Sequence, residues 1–485
     1  MTDRQRNETP HPVEGRHPGL GRGPIFAFIL MLLALATMLL AGCSIGPNYA
    51  RPDMDLPKDF GVAQSAVPPA ERWWEMFNDP VLNGLVDEAL AASHDLKAAA
   101  ARIEQSRAQL MITRADQLPS VGINGSSGRT RASTLGAFPL PPDFVTTTDH
   151  RLVLQFAWEL DFWGKYRRAT EAARAELLAS EAGRDAVRSS LIGDVVRGYF
   201  ALQALDGRMA AVVRTLQGRV QALDLQKMRY DAGVSSEFEY RQVESDKRSA
   251  EALVPVLRQA RVRQEGALAV LFGRTPREVY EARIERGLPA TPLAIEVPAG
   301  LPSELLLRRP DLREAEAHLH AANARIGVAR AAYFPSISLT GYYGGESQKL
   351  GDLFTGPARI WNIGGGLLQP LFAAGQIKGG VNLADARTRE AAENYQKAVA
   401  NAFREVRDAI AAQVNLREAS TAQQARETSL VRTYELARLR YDNGVISLIE
   451  VLDAERQLLS ARLDAIDAER DRRDAIVDLY LALGA

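Results

Sequence analysis

The chain has 485 residues, 46% of them apolar and 25% charged, with a formal net charge of −1. That apolar content suffices for one large or two to three ordinary domains, and the balanced charge argues against a nucleic-acid binder, whose binding domain carries a basic excess. A single cysteine, Cys43, excludes an intramolecular disulfide and a cysteine-based metal cluster.

Arg4, Arg6, Arg16 and Arg22 form a positive leader, and an uncharged, mainly apolar run follows from Ile25 to Ala41. At about 17 residues the run is short for a transmembrane helix and slightly long for the apolar part of an export signal. Its end, Leu40-Ala41-Gly42-Cys43, decides for export. Small residues just before a cysteine form the lipobox of bacterial lipoproteins, in which the thiol is acylated and becomes the first mature residue. Residues 1–42 are therefore expected to be a lipoprotein signal peptide, with Cys43 carrying N-palmitoyl and S-diacylglycerol chains. Ser44, rather than Asp, at the next position suggests passage to the outer membrane. No other segment is apolar for long enough to span a bilayer as a helix.

Residues 43–80 contain Pro47, Pro52, Pro57, Pro68 and Pro69 and read as an extended N-terminal tether. A second Pro-rich connector, 286–302, separates two long bodies, 81–285 and 303–485, which repeat each other. Laying Asp95–Gly125 on Asp311–Gly341 (a shift of 311 − 95 = 216) gives ten identities, among them Arg114-Ala115 and Pro119-Ser120. A shift of 211 (436 − 225) lays Leu225–Glu244 on Leu436–Glu455 and matches Arg229-Tyr230-Asp231, Gly233-Val234 and Glu239 with Arg440-Tyr441-Asp442, Gly444-Val445 and Glu450. The chain is thus a tandem duplication of one unit of about 200 residues.

Within each unit the hydrophobic period changes. Asp95–Gln117 and Asp311–Tyr333 show helical spacing and stop at Pro119 and Pro335; the period then becomes two. The clearest strand is Leu152–Phe162, with Leu152, Leu154, Phe156, Trp158, Leu160 and Phe162 on one face and Val153, Gln155, Ala157, Glu159 and Asp161 on the other. Its weaker, glycine-rich counterpart is Ile360–Phe372. Such alternation suits a lipid-facing strand around a wet lumen or a half-buried strand of a soluble sheet, and the export signal favours the membrane. From Gly164 to Tyr230 the spacing predicts a helix of roughly 100 Å. A glycine turn at Gly233 or Gly444 then reverses the chain into a second long helix, and Pro255 should kink the first of these returns.

No catalytic constellation is present in the sequence, and no cofactor or metal is expected. His318 and His320, two apart on a helix, point to different faces and cannot share a metal. Gly364-Gly365-Gly366 lies in a strand rather than before a phosphate-binding helix and reads as close backbone packing. Glu450 and Asp453, three apart after the Gly444 turn, share a helix face. From spacing alone this is an ordinary solvated face; it gains a function only if the turn lies on a symmetry axis.

Several motifs together resemble the TolC-type outer-membrane factors, in particular the acylated, NodT-like branch that serves RND-type multidrug pumps. They are Cys43 with Gly46-Pro47-Asn48-Tyr49, Trp73-Trp74 with Phe77 and Asp79-Pro80, Leu301-Pro302-Ser303-Glu304-Leu305-Leu306, Arg308-Arg309-Pro310-Asp311-Leu312, Ala324 to Ala331, Phe334-Pro335-Ser336-Ile337 and the Arg440–Asp453 turn. The resemblance covers essentially all of the chain beyond the leader. It implies a mainly α protein with a membrane β-barrel, a homotrimer in which twelve strands form one barrel continued by a long α-helical periplasmic barrel. It also implies a passive exit duct for drugs or other small solutes, not an enzyme, docked to a periplasmic adaptor and an inner-membrane pump.

By the same resemblance Glu450 and Asp453 are the acidic ring of a periplasmic gate, and Glu239 is acidic on the neighbouring tip. Gly233, Val234, Glu239, Gly444 and Val445 are then the tip-turn residues that meet the adaptor. A basic residue that the family places two after the second turn's glycine is Ile446 here, leaving Tyr441 as the hydrogen-bonding partner at the gate. The competing readings are a duct for secreted proteins and a lipid-anchored coiled-coil scaffold without a channel. A scaffold has no use for the alternation of Leu152–Phe162.

Overall fold

The computed structural model of the protein describes residues 44–57, 71–135, 141, 143, 145–287 and 307–484. The leader, Cys43 and residues 288–306 of the connector region lie outside the described residues. A turn of 3-10 helix, Trp73–Phe77, leads into α1 (Pro80–Ala92) and α2 (His94–Ala115). A hairpin follows, β1 (Ser120–Arg131) and β2 (Thr146–Leu160), then α3 (Lys165–Asp231) and α4 (Glu237–Leu271). After the short α5 (Pro276–Tyr280) the pattern recurs as α6 (Pro310–Ala331), β3 (Ser336–Ser347), β4 (Arg359–Leu368), α7 (Gln376–Asp442) and α8 (Leu448–Ala482).

The duplication is kept in length as well as in sequence. α2 and α6 have 22 residues each, β1 and β3 have 12, α3 and α7 have 67, and α4 and α8 have 35. At 1.5 Å per residue the two longest helices each reach about 100 Å. Among the described residues no helix is long and apolar enough to cross a membrane. Pro255 lies inside α4 without ending it, between the buried Ala250 and Leu257. Helices α3 and α6 pack through small residues, Ala172, Ala175, Ala179 and Ala182 against Ala321, Ala324 and Gly327, which lets their axes approach closely.

The largest core joins Trp73, Trp74 and Phe77 to Leu82, Leu191, Tyr199, Leu268, Phe272 and Ile476, so it ties α1, α3, α4 and α8 together. The two tryptophans are 2% and 0% exposed, and the end of the stretch read as a tether is therefore core. The start of that stretch is an arm laid along α6 and α3. Ile45 N–H donates to the Trp163 carbonyl (3.1 Å), and Arg168 donates to Asn48 Oδ1 (2.8 Å). Tyr49 stacks on His320, and Arg51 grips Glu316 with two 2.7 Å hydrogen bonds. Gly46 fits because a Cβ there would lie 2.6 Å from the Gly327 backbone. Proline spacing signalled a lack of periodicity, but it could not show that the extended chain finds partners this far away.

The strands form one antiparallel sheet in the order β1-β2-β3-β4. Register places Val121 and Ile123 beside Phe156 and Leu154, these beside Gly341 and Tyr343, and these beside Ile363 and Trp361. One face is thus a continuous apolar surface, and Val121, Ile123, Leu154, Tyr343, Trp361 and Ile363 are all exposed on it. The other face carries Gln155, Tyr342 and Asn362 in one row and the Arg151–Glu346 ion pair in another. β4 ends at Leu368, short of the expected Phe372, because Pro370 has no N–H to continue the ladder. Nor are the three glycines of β4 closely packed: a Cβ on Gly364 or Gly365 would meet nothing nearer than 3.7 Å, and only Gly366 is tight, 3.0 Å from Ser338 Oγ. His318 and His320 bond separately to Glu176 and Glu171 across α3, each at 3.1 Å, as their spacing required. No group of three metal-ligating side chains occurs among the described residues.

Candidate functional site

The two long hairpins, α3–α4 and α7–α8, end in turns of the same construction. In the first, Gly233 takes a left-handed φ of 70°, its N–H bonds the Tyr230 carbonyl (2.9 Å), and Val234 N–H bonds the Arg229 carbonyl (2.8 Å). In the second, Gly444 at φ 72° and Val445 bond the Tyr441 and Arg440 carbonyls, both at 2.8 Å. This is a Schellman closure, in which glycine takes the left-handed conformation that a side chain would strain. Each return helix then starts with a capping box. Ser236 and Glu239 bond reciprocally on α4, and Ser447 and Glu450 do so on α8. The turns leave Val234 and Val445 exposed, together with Phe238 and Ile449 in the first turn of each return helix. Phe238 and Ile449 were not singled out from the sequence, though both sit two residues past the capping serine at the 211 shift.

Glu450 therefore has a structural duty: its Oε1 accepts from both Ser447 N–H and Oγ at 3.2 Å. Asp453, one turn on, accepts from Gln457 Nε2 at 2.6 Å and lies 3.7 Å from Arg456 Nη2. Glu450 and Asp453 occupy one face of α8, as their spacing required, and Glu239 serves the other hairpin as its cap.

At Tyr441 the two hairpins meet close to their tips. Arg229 Nη1 donates to its hydroxyl at 2.8 Å, and the guanidinium lies 5.9 Å from the ring centre. The basic partner that Ile446 does not supply thus comes from the first hairpin. Further from the tip is a buried cluster that the sequence did not reveal. Arg219 of α3, 3% exposed, donates to the Asp246 carbonyl (2.6 Å) and Ser249 Oγ (3.1 Å) of α4. Its Nε stands 3.5 Å from Glu455 Oε1 of α8. Burial pushes the Glu455 carboxyl above the usual range, and Arg219 pulls it back. The inter-hairpin links at the tip end include Arg229–Tyr441, Arg219–Glu455 and the ion pair of Arg456 with Asp246 (4.0 Å). The polar groups there are carboxylates, arginines and hydroxyls joined by hydrogen bonds and ion pairs.

A family model described as "Outer membrane efflux protein" matches residues 85–274 and 301–485. The chain is 34% identical to the probable outer membrane lipoprotein SilC of Salmonella typhimurium, over 94% of this chain and 99% of that protein. It is also 34% identical to the solvent efflux pump outer membrane protein SrpC of Pseudomonas putida, over 93% and 96%. Among solved structures, the CmeC outer membrane channel of Campylobacter jejuni superposes with a TM-score of 0.87 at 30% identity, covering 91% of this chain and 95% of that one.

Proposed function

Since the chain belongs to the outer membrane efflux protein family, a family of non-enzymatic channels, we propose that three copies of it close into one passive duct for drugs or other small solutes. It is the outer-membrane channel of an efflux system, reaching into the periplasm. The observation that carries the duct is the sheet: one apolar face, one polar face and two unpaired edges, β1 and β4. Open strand edges are not tolerated in hydrocarbon, and four strands cannot close a barrel. The smallest single-chain barrels need about eight, so more than one copy must contribute, and three give twelve. An even strand number per protomer keeps β4 antiparallel to the next protomer's β1, so the seam pairs like any other.

In this reading the long helices form the periplasmic tunnel, and their tips meet a periplasmic adaptor bound to an inner-membrane pump. Gly233-Val234 and Gly444-Val445, with Phe238 and Ile449, present apolar side chains on rigid turns for that contact. Glu450 and Asp453 of three protomers form the acidic ring of the closed entrance, and Arg229–Tyr441 latches it. Native mass spectrometry from mild detergent should show a trimer, and the same sample should form channels in planar bilayers. A monodisperse monomer that still inserts and conducts would rule the shared barrel out.

Cys43 is the acylated mature N-terminus in this reading. Ser44 contacts Gly164, at the head of α3, so the lipid would enter the bilayer beside the barrel's periplasmic end, near the stacked Trp163 and Phe334. Intact mass should show residues 1–42 removed and the mass of three acyl chains added. A mature chain that keeps Ile25–Gly42 would defeat this assignment.

A further inference from the structure

The apolar face of the sheet changes character at the end away from the helices. Beyond Leu152, the same face continues through Ser127 and His150, joined at 2.8 Å, to Arg129 opposite Thr148 and Arg131 opposite Thr146. On the far strand Arg359, opposite Gly345, begins β4 on that face. The opposite face at this height carries Asp149 and Glu346, and Glu346 pairs with Arg151. The outward face here therefore carries bases without acids, whereas the inward face carries Asp149 and the paired Glu346 and Arg151. Arg129, Arg131 and Arg359 are exposed, and among the described residues no ion pair engages them.

We propose that this outward rim binds the phosphate groups of a phosphorylated, multiply acylated glycolipid of the outer leaflet. Two features select a lipid over a soluble anion. The arginines lie directly above an exposed apolar band, so a bound molecule meets cations with its head and Ile123, Leu154, Tyr343 and Trp361 with its chains. From Leu152 to Leu160 that band is roughly 20 Å tall for a strand tilted by about 40°, close to the apolar band of an outer-membrane barrel. Secondly, Leu350 and Phe354 stand exposed on the β3–β4 connection at the same end, where an apolar side chain gains only from an interface. Guanidinium forks match phosphate oxygens, and desolvation at a headgroup level strengthens the contact.

The site also falls on the seam between protomers, and in this respect it rests on the trimer proposed above. Arg129 and Arg131 end one edge strand and Arg359 begins the other, so closure puts one protomer's Arg359 and its neighbour's Arg129 and Arg131 on the two strands of one seam, at its outer end. Three equivalent sites result.

Delipidated protein in a mild nonionic detergent, titrated with bisphosphorylated lipid A and read by native mass spectrometry, tests the proposal. The trimer should take up to three lipids. Dephosphorylated lipid A and phosphatidylcholine should bind at least tenfold more weakly. R129Q/R131Q/R359Q should lose at least tenfold while remaining trimeric, and R129K/R131K/R359K should retain most of the binding. Equal binding by the glutamine variant, or by the dephosphorylated lipid, overturns the proposal. Displacement of the lipid by an equal concentration of inorganic phosphate also overturns it, by showing a plain anion site. A spectrum of monomers alone would overturn the trimer itself, which the protein mass reports whether or not lipid is bound.

Discussion

With the tips closing the periplasmic entrance as proposed, Arg219→Ala should raise the channel's open fraction at pH 8 at least tenfold. Arg219 is buried among groups from three helices, and its partners Asp246 and Glu455 are 8% and 15% exposed. Removing one member of a buried ion pair leaves the other charge desolvated and alone, which typically costs about 3–5 kcal/mol. Here that cost falls on the contact between α8 and the first hairpin, so parting the hairpins relieves it. The pH dependence has a definite sign. Burial already raises the Glu455 carboxyl above its ordinary 4.5, so its contribution favours the closed packing below that value and is lost as pH rises through the raised one. Without Arg219 the carboxyl rises further, and the variant should close again as pH falls toward 5. Adding E455Q should restore closure at pH 8, because the orphaned charge is gone. Planar-bilayer recordings from pH 5 to 8 measure all three, with circular dichroism confirming the helix content. An R219A channel as silent as the parent would show that the cluster supports the fold without holding the entrance shut.

E450Q/D453N should weaken periplasmic-side block by multivalent cations at least tenfold. Two carboxylates from each of three protomers would crowd one narrow ring, and such a ring gathers counter-cations. The substitution matters as much as the position. Alanine at Glu450 would also break the capping box that starts α8, whereas glutamine keeps an acceptor for Ser447. Alanine would confuse a damaged tip with a discharged one. Unchanged block in E450Q/D453N would make both residues an ordinary cap and an ordinary charged face.

What could be read from the sequence was whatever repeats locally. Period-two alternation gave the outward face of β2, and register confirms Leu152, Leu154, Phe156, Trp158 and Leu160 on one side. The spacing from Gly164 to Tyr230 gave a helix far too long for a globular domain, and the 211 shift gave both turns. The links that hold the tips together were not legible, because their partners lie more than 200 residues apart in sequence: Arg229 with Tyr441, and Arg219 with Glu455. Both arginines have the composition of any solvated helix face, and only folding shows that one is buried. The arm at Tyr49 and Arg51 was hidden for the same reason, since an irregular segment carries no period that would name its partner.

The equal lengths of α3 and α7, and of α4 and α8, make the helices a ruler. A four-residue insertion in α3 alone would carry its turn about 6 Å past its twin and separate Arg229 from Tyr441. The shift between the matched elements nevertheless changes by five residues (216 − 211), and all of that change falls between the end of β1 and the start of α3 against its counterpart between β3 and α7. Chain length thus varies across the β-hairpins and their links to the long helices and is held where two helical hairpins must finish level. The permissive place for a tag or an inserted epitope is the β1–β2 or β3–β4 connection, and the forbidden place is anywhere along the measured edge.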